Sequence, residues 1–159
     1  MEISKETIEK YLHYDPNTGL FRWQVYRSRI ARPNSIAGSI QSKGYINIMI
    51  EGKNYYAHRL AWIVTYGETP QEIDHINGIR SDNRIGNLRN CTSSQNKLNS
   101  KVNTRNKSGV KGVFWHERDK RWIAYGGGKE LGRSQSLLEA VNLRNKFIDT
   151  HPDSLFFAK

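Results

Sequence analysis

Apolar side chains recur in two rhythms along this chain, and the changes of rhythm mark its elements. Residues 4–14 set Ile8, Tyr11 and Leu12 at helical spacing. Ser4 precedes them as a candidate N-cap with Thr7 three residues on, so a short amphipathic helix is expected there. Asp15-Pro16-Asn17-Thr18-Gly19 is turn chemistry, since Pro fixes φ and Gly permits positive φ. Leu20-Phe21-Arg22-Trp23-Gln24-Val25 then alternates apolar and polar, as a half-buried strand does. Residues 26–35 read as a basic loop in which Arg27, Arg29 and Arg32 face either phosphates or water. Tyr45-Ile46-Asn47-Ile48-Met49-Ile50 is the clearest strand, Glu51-Gly52-Lys53-Asn54 its hairpin turn, and Tyr55-Tyr56 the return. Leu60, Ile63 and Val64, with Trp62 and Tyr66 nearby, predict a helix that Gly67 ends.

The centre of the chain changes period again. Residues 73–75 make a strand ending at His75, and Asn77-Gly78 follows as a type I′ turn pair, although a wider loop also fits. Residues 81–87 are loop chemistry, residues 88–92 a second strand, and Ser93 or Ser94 caps a helix through Leu98. This places His75 at a strand end, Asn87 in the loop and Asn96 on the first turns of the helix. Residues 101–108 are polar and predict a linker. Three short antiparallel strands are expected at residues 111–115, 121–125 and 130–132. Ser136 with Glu139 forms a capping box for a helix to Thr150 with Leu137, Leu138, Val141, Phe147 and Ile148 on its apolar face. Residues 151–159 form a tail.

Composition sharpens this outline. A hydrophobic share of 36% in 159 residues favours two small units over one large core. The formal charge of +10 and pI near 9.8 imply a polyanionic partner, most commonly a nucleic acid. The basic excess sits in residues 101–159, which carry 12 basic and 6 acidic side chains. The single cysteine, Cys91, excludes a disulfide framework or a Cys-rich zinc site and fits a reducing compartment. Residues 1–12 lack the apolar stretch of a signal peptide, and no run is long enough to span a bilayer, so an intracellular protein without membrane contact is expected. No obligate protein partner is evident.

The candidate chemistry lies in Asp74, His75, Asn87 and Asn96. A neutral imidazole can take a proton from water near physiological pH. A carboxylate beside it is a hard oxygen ligand of the kind Mg²⁺ prefers, and an Asn carbonyl adds a ligand without charge that repels phosphate. A further amide can fix the imidazole tautomer. These are the parts of phosphodiester hydrolysis. Two readings stay open on the residues alone: that chemistry, or a capped turn whose amides satisfy loop backbone groups.

His58-Arg59-Leu60, Ile73-Asp74-His75-Ile76-Asn77-Gly78, Asp82-Asn83-Arg84, Asn87-Leu88-Arg89 and Ser94-Gln95-Asn96 together resemble the HNH endonucleases, in the branch of phage and mobile-intron homing enzymes. The resemblance implies a ββα-metal (His-Me) finger in an α+β protein, with a nuclease unit over residues 1–100 (motif core 56–100) and a β-rich N-terminal extension. By that resemblance His75 is the general base, Asn87 orients it, and Asp74 and Asn96 hold one divalent cation, Mg²⁺ first and Mn²⁺ second. It implies DNA ends bearing 3′-hydroxyl and 5′-phosphate. Asn96 stands where many members have His, which makes a softer, zinc-like choice less fitting. His58, with Arg59 beside it, is either a phosphate contact or a packing residue.

Gly109 to Trp115, with Arg121-Trp122-Ile123-Ala124-Tyr125, Leu131-Gly132 and Glu139-Ala140, resembles an AP2-type DNA-binding domain over residues 109–150. The resemblance implies a three-stranded sheet laid in the major groove of double-stranded DNA, where Arg can read guanine. Lys111, Trp115, Arg118, Lys120, Arg121, Tyr125 and Arg133 are its candidate contacts, and Trp122 is a core alternative. The expected function is a metal-dependent DNA endonuclease of phage or mobile-element homing type. The alternative is a sequence-selective DNA-binding regulator with an inactive HNH-like scaffold. An RNA-binding module fits less well, because A-form RNA has a deep, narrow major groove.

Overall fold

The computed structural model describes residues 3–100 and 102–156. They fall into two compact units that divide between Asn96 and Lys97. No helix among the described residues is long and apolar enough to cross a membrane.

In the first unit, α1 (Lys5–Tyr11) starts where Ser4 Oγ accepts the backbone N–H of Thr7 at 3.2 Å. The helix ends earlier than its spacing predicts. Leu12 is extended and opens β1 (Leu12–Asp15), which pairs antiparallel with β2 (Leu20–Trp23). Leu12 and Tyr14 alternate inward on this strand, so the apolar positions that look helical are shared between two elements. The Asp15 carboxylate takes the N–H of Asn17 at 3.0 Å and the Thr18 hydroxyl at 2.7 Å, which fixes the turn between the strands.

A second antiparallel sheet has the order β3 (Ser39–Ile40), β4 (Ile46–Ile50), β5 (Lys53–Tyr56). Its Ile50–Lys53 connection is a two-residue turn with φ of 49° at Glu51 and 78° at Gly52, matching the twist of the strands. The next helix, α2 (Ala57–Tyr66), follows without a break and stops at Gly67, whose φ of 75° lets its N–H reach the Ile63 carbonyl at 2.8 Å. Leu60, Ala61 and Ile63 of α2 join Ile8, Leu12, Phe21, Trp23, Ile48 and Ile50 in one core. Ile73 and Leu88, from the strands described next, belong to that same core and tie them to it.

Those strands are β6 (Glu72–His75) and β7 (Leu88–Cys91), paired antiparallel with Asp74 opposite Arg89 and His75 opposite Leu88. Their connection is the wide loop, not a two-residue hairpin: it runs through residues 76–87 and closes with a 3-10 turn, Ile85–Asn87. Then comes α3 (Ser93–Leu98).

The second unit holds β8 (Val113–His116), β9 (Arg121–Gly126) and β10 (Lys129–Ser134), antiparallel in the order β10–β9–β8, and α4 (Leu137–Thr150). Val113, Ala124 and Ala140 form its buried centre, with Trp122, Leu131, Leu137 and Val141 around them. Ser136 Oγ caps α4 by accepting the Glu139 N–H at 3.4 Å. A 3-10 turn, Ser154–Phe156, follows.

Candidate active site

β6 delivers Asp74 and His75 together, both buried, to opposite faces of a two-stranded sheet. On the Asp74 face, Arg89 lies directly across the ladder and donates through Nε and Nη2 to Asp74 Oδ2 at 2.8 and 2.6 Å. Glu72, two residues before Asp74, shares that face. Its carboxylate accepts Asn96 Nδ2 at 2.9 Å and the Ser93 hydroxyl, so α3 is laid against β6 by these two contacts. Glu72 was missed in the sequence, though its i−2 position from Asp74 on a strand was the available signal.

A carboxylate accepts but does not donate, so Asn96 must present its NH₂ to Glu72 and keeps its carbonyl oxygen for another partner. A carboxylate and an amide oxygen are hard donors that suit an oxygen-seeking divalent cation. The residues therefore fit such a group, with the Arg89 guanidinium already at Asp74 as the positive charge it must share space with. Among the described residues, no three His, Cys, Asp or Glu side chains gather as a metal cluster.

On the other face, the His75 ring sits in an aromatic box. His58 meets it edge-on, with centroids 5.1 Å apart and planes at 74°, and Tyr45 lies 6.0 Å away. Tyr56 stacks on His58 at 5.4 Å, and Arg80 covers Tyr45 at 4.9 Å. Burial lowers the His75 pKa, against the raising effect of its hydrogen bond with Asn83 and the charges of Asp74 and Asp82. The ring is thus kept in the neutral form that a base requires. His58 is pushed down to about 3, mainly by burial and then by electrostatic coupling to the neighbouring His75 and to Arg59. The structure places His58 inside the packing, and Arg59 donates to the Pro70 carbonyl at 3.0 Å, holding the chain where it enters β6.

The loop between β6 and β7 has its own network. Asn87 Oδ1 accepts the Asn77 N–H at 3.0 Å, and its Nδ2 donates to the Asp82 carbonyl at 2.8 Å. These bonds brace residues 77–82. Asp82 is held by Arg84 at 2.6 Å and by Asn77 at 2.7 Å, and the Arg84 contact is the main reason its pKa falls to about 2. Facing the ring itself is Asn83, whose Oδ1 lies 3.3 Å from His75 Nε2.

In the second unit, strand alternation divides the candidate DNA contacts. Arg121, Tyr125 and Arg133 lie on the face turned away from α4, together with Phe114, which packs on Tyr125 at 5.5 Å. Trp115 is paired with Trp122 and points to the helix side, its indole donating to Glu117 at 2.7 Å. Lys111 is also set apart: its ammonium binds the carbonyls of Lys97, Leu98 and Ser100, and burial lowers its pKa. It serves the end of α3 as a C-terminal cation does. Arg133 is paired with Asp119 at 2.6 Å and Glu130 at 2.8 Å, and Lys120 with Glu117 at 2.6 Å. Arg118 and Arg121 are exposed and carry no ion pair among the described residues.

A strand bearing Asp74-His75, a wide loop, a second strand and a helix bearing Asn96 lie within a segment that matches a known family. Residues 55–98 match the HNH endonuclease family, so the chain carries an HNH endonuclease domain there. Protein 3.8 of Escherichia phage T7 is 33% identical over 89 residues, covering 53% of this chain and 74% of that protein, and the chain belongs to the same family. No solved structure matches.

Proposed function

We propose that the protein is a metal-dependent DNA endonuclease of phage or mobile-element homing type. The observation that carries this reading is the buried His75 at the end of β6, with Asp74 beside it and Asn96 brought to the same strand by α3, all inside the HNH segment. His75 takes a proton from the attacking water, and Asp74 and the Asn96 carbonyl would hold the cation. When bound, an Mg²⁺-type ion stabilises charge on the scissile phosphate and the leaving oxygen. Loss of the 3′ oxygen from phosphorus leaves 3′-hydroxyl and 5′-phosphate ends. Glu72 keeps Asn96 turned with its carbonyl outward, and Asn87 holds the loop over His75.

The second unit supplies DNA affinity. A three-stranded antiparallel sheet and a helix within residues 113–150 support an AP2-like reading of it, and Arg121 and Tyr125 share the open face with exposed Phe114. Arg118 in the β8–β9 turn adds an unpaired cation suited to a phosphate. The competing reading, a DNA-binding regulator with an inactive scaffold, draws on the Arg89–Asp74 ion pair, which satisfies the carboxylate internally.

Incubating supercoiled plasmid with the protein and EDTA, Mg²⁺ or Mn²⁺ separates the two. Metal-dependent conversion to open-circle or linear DNA supports the nuclease. Tight binding with no nicking in any divalent metal supports the regulator.

A further inference from the structure

The Asn83 amide is 1% exposed, and its Nδ2 has no hydrogen-bond partner among the described residues. Burying a polar side chain this way costs stability, which calls for an explanation at that position. The space beside it is walled mainly by apolar groups, Gly19, Phe21, Ala37 and Ile46 among them, with Ser39 also on its lining. The one side chain it meets through a hydrogen bond is His75, Oδ1 to Nε2 at 3.3 Å.

We propose that Asn83 is the positioning residue of the base: its amide oxygen holds the proton of His75 on Nε2, leaving Nδ1 as the nitrogen that accepts from water, and the β1–β2 hairpin holds Asn83 in place. This deepens the nuclease reading and rests on it for the role of Nδ1. A neutral imidazole has one N–H and one lone pair, and an amide oxygen can only accept, so the proton goes to the nitrogen facing Asn83.

Three features of one hairpin converge on residues 83–85. The Tyr14 hydroxyl donates to the Asn83 carbonyl at 2.7 Å. The Ile85 N–H donates to the Pro16 carbonyl at 3.2 Å. Gly19, with φ of +73°, lies so close that a Cβ there would stand 2.4 Å from Arg84 N and 2.6 Å from the Asn83 carbonyl carbon. The hairpin lies outside the matched segment 55–98, yet it fixes the backbone that carries the ring's partner. Asn87 has the separate task of bracing residues 77–82.

The test combines the tautomer with kinetics on the full chain. In ¹⁵N-histidine-labelled protein, long-range ¹H–¹⁵N spectra should show His75 protonated on Nε2. Asn83→Leu, nearly the same shape without an acceptor, should lose that tautomer and lower kcat by about 10–100-fold with KM for plasmid unchanged. Asn83→Asp keeps the acceptor and should recover both the tautomer and most of kcat. Tyr14→Phe should lower kcat severalfold. Melting curves identify a variant that fails to fold, and Asn83→Asp with Tyr14→Phe then carry the test. A wild-type proton on Nδ1, or folded Asn83→Leu cutting at the wild-type rate, overturns the proposal. An unchanged kcat in Tyr14→Phe overturns the part assigned to the hairpin. If the wild type cuts no DNA, the nuclease reading fails, while the tautomer of wild type against Asn83→Leu still decides whether Asn83 positions the ring.

Discussion

The Arg89–Asp74 pair makes a quantitative prediction about how the site is stabilised before a cation arrives. The two side chains are 17% and 6% exposed with N···O at 2.6 Å, so both charges have left most of their water. Replacing Arg89 with Met removes the guanidinium from a carboxylate that stays buried. Breaking one side of a buried pair costs about 3–5 kcal/mol, and the partial exposure of Arg89 sets the expectation at about 3 kcal/mol. For a unit of this size that lowers Tm by roughly 12 °C or more. A divalent cation should replace part of the lost charge. At 10 mM Mg²⁺, a site with Kd of about 1 mM gains about 1.4 kcal/mol. The wild type should gain less, because Arg89 competes for the same oxygen. Thermal melts of both proteins with and without 10 mM Mg²⁺ measure each quantity, and Asp74→Asn/Arg89→Met should recover much of the loss. Arg89→Met melting within about 3 °C of wild type, or equal Mg²⁺ shifts in the two proteins, would refute the reasoning.

Other expectations follow from single contacts. His58 is neutral in the fold down to about pH 3 but charges near 6.5 when unfolded, so its contribution is complete above 6.5 and is lost as pH falls toward 3. The slope is about 1.4 kcal/mol per unit. His58→Phe should therefore lose about 1.6 kcal/mol less than wild type between pH 6.5 and 5, read from urea midpoints. Gly19→Ala, strained and clashing with backbone, should cost more than about 2 kcal/mol, whereas Gly67→Ala, at φ of 75° in open space, should cost about 1 kcal/mol. Equal losses in calorimetry would contradict the close approach at Gly19. Arg121→Ala should weaken DNA binding and reduce the slope of log K against log salt by about 1, and an unchanged slope would remove Arg121 from the phosphate contacts.

Much of this was legible in the sequence because local rules agreed with the fold. The strand–loop–strand–helix order at residues 72–98 was readable from apolar runs broken by Asn, Gly and Ser, and so were the three strands and capped helix of residues 113–150. Leu12 was not, since Ile8, Tyr11 and Leu12 fit a helix as well as a helix followed by a strand, and only pairing with Trp23 decides between them. Lys111 and Trp115 read as surface contacts because charge and aromaticity say nothing of strand face or of a nearby helix end. The partner of His75 was hidden for a similar reason. Asn77, Asn83, Asn87 and Asn90 are chemically equal candidates, and the choice depends on a hairpin some 65 residues upstream, whose Tyr14 hydroxyl holds the Asn83 carbonyl across a sequence separation of 69.

The proposed role of His75, base of a metal-dependent DNA cut, stands or falls with His75→Ala. Wild type and variant are compared on supercoiled plasmid in Mg²⁺, with DNA affinity measured beside cleavage. Cleavage should disappear in the variant while DNA affinity stays within about twofold, because the ring is buried and Arg118 and Arg121 lie in the other unit. Mg²⁺-dependent cleavage at the wild-type rate by His75→Ala would contradict that role.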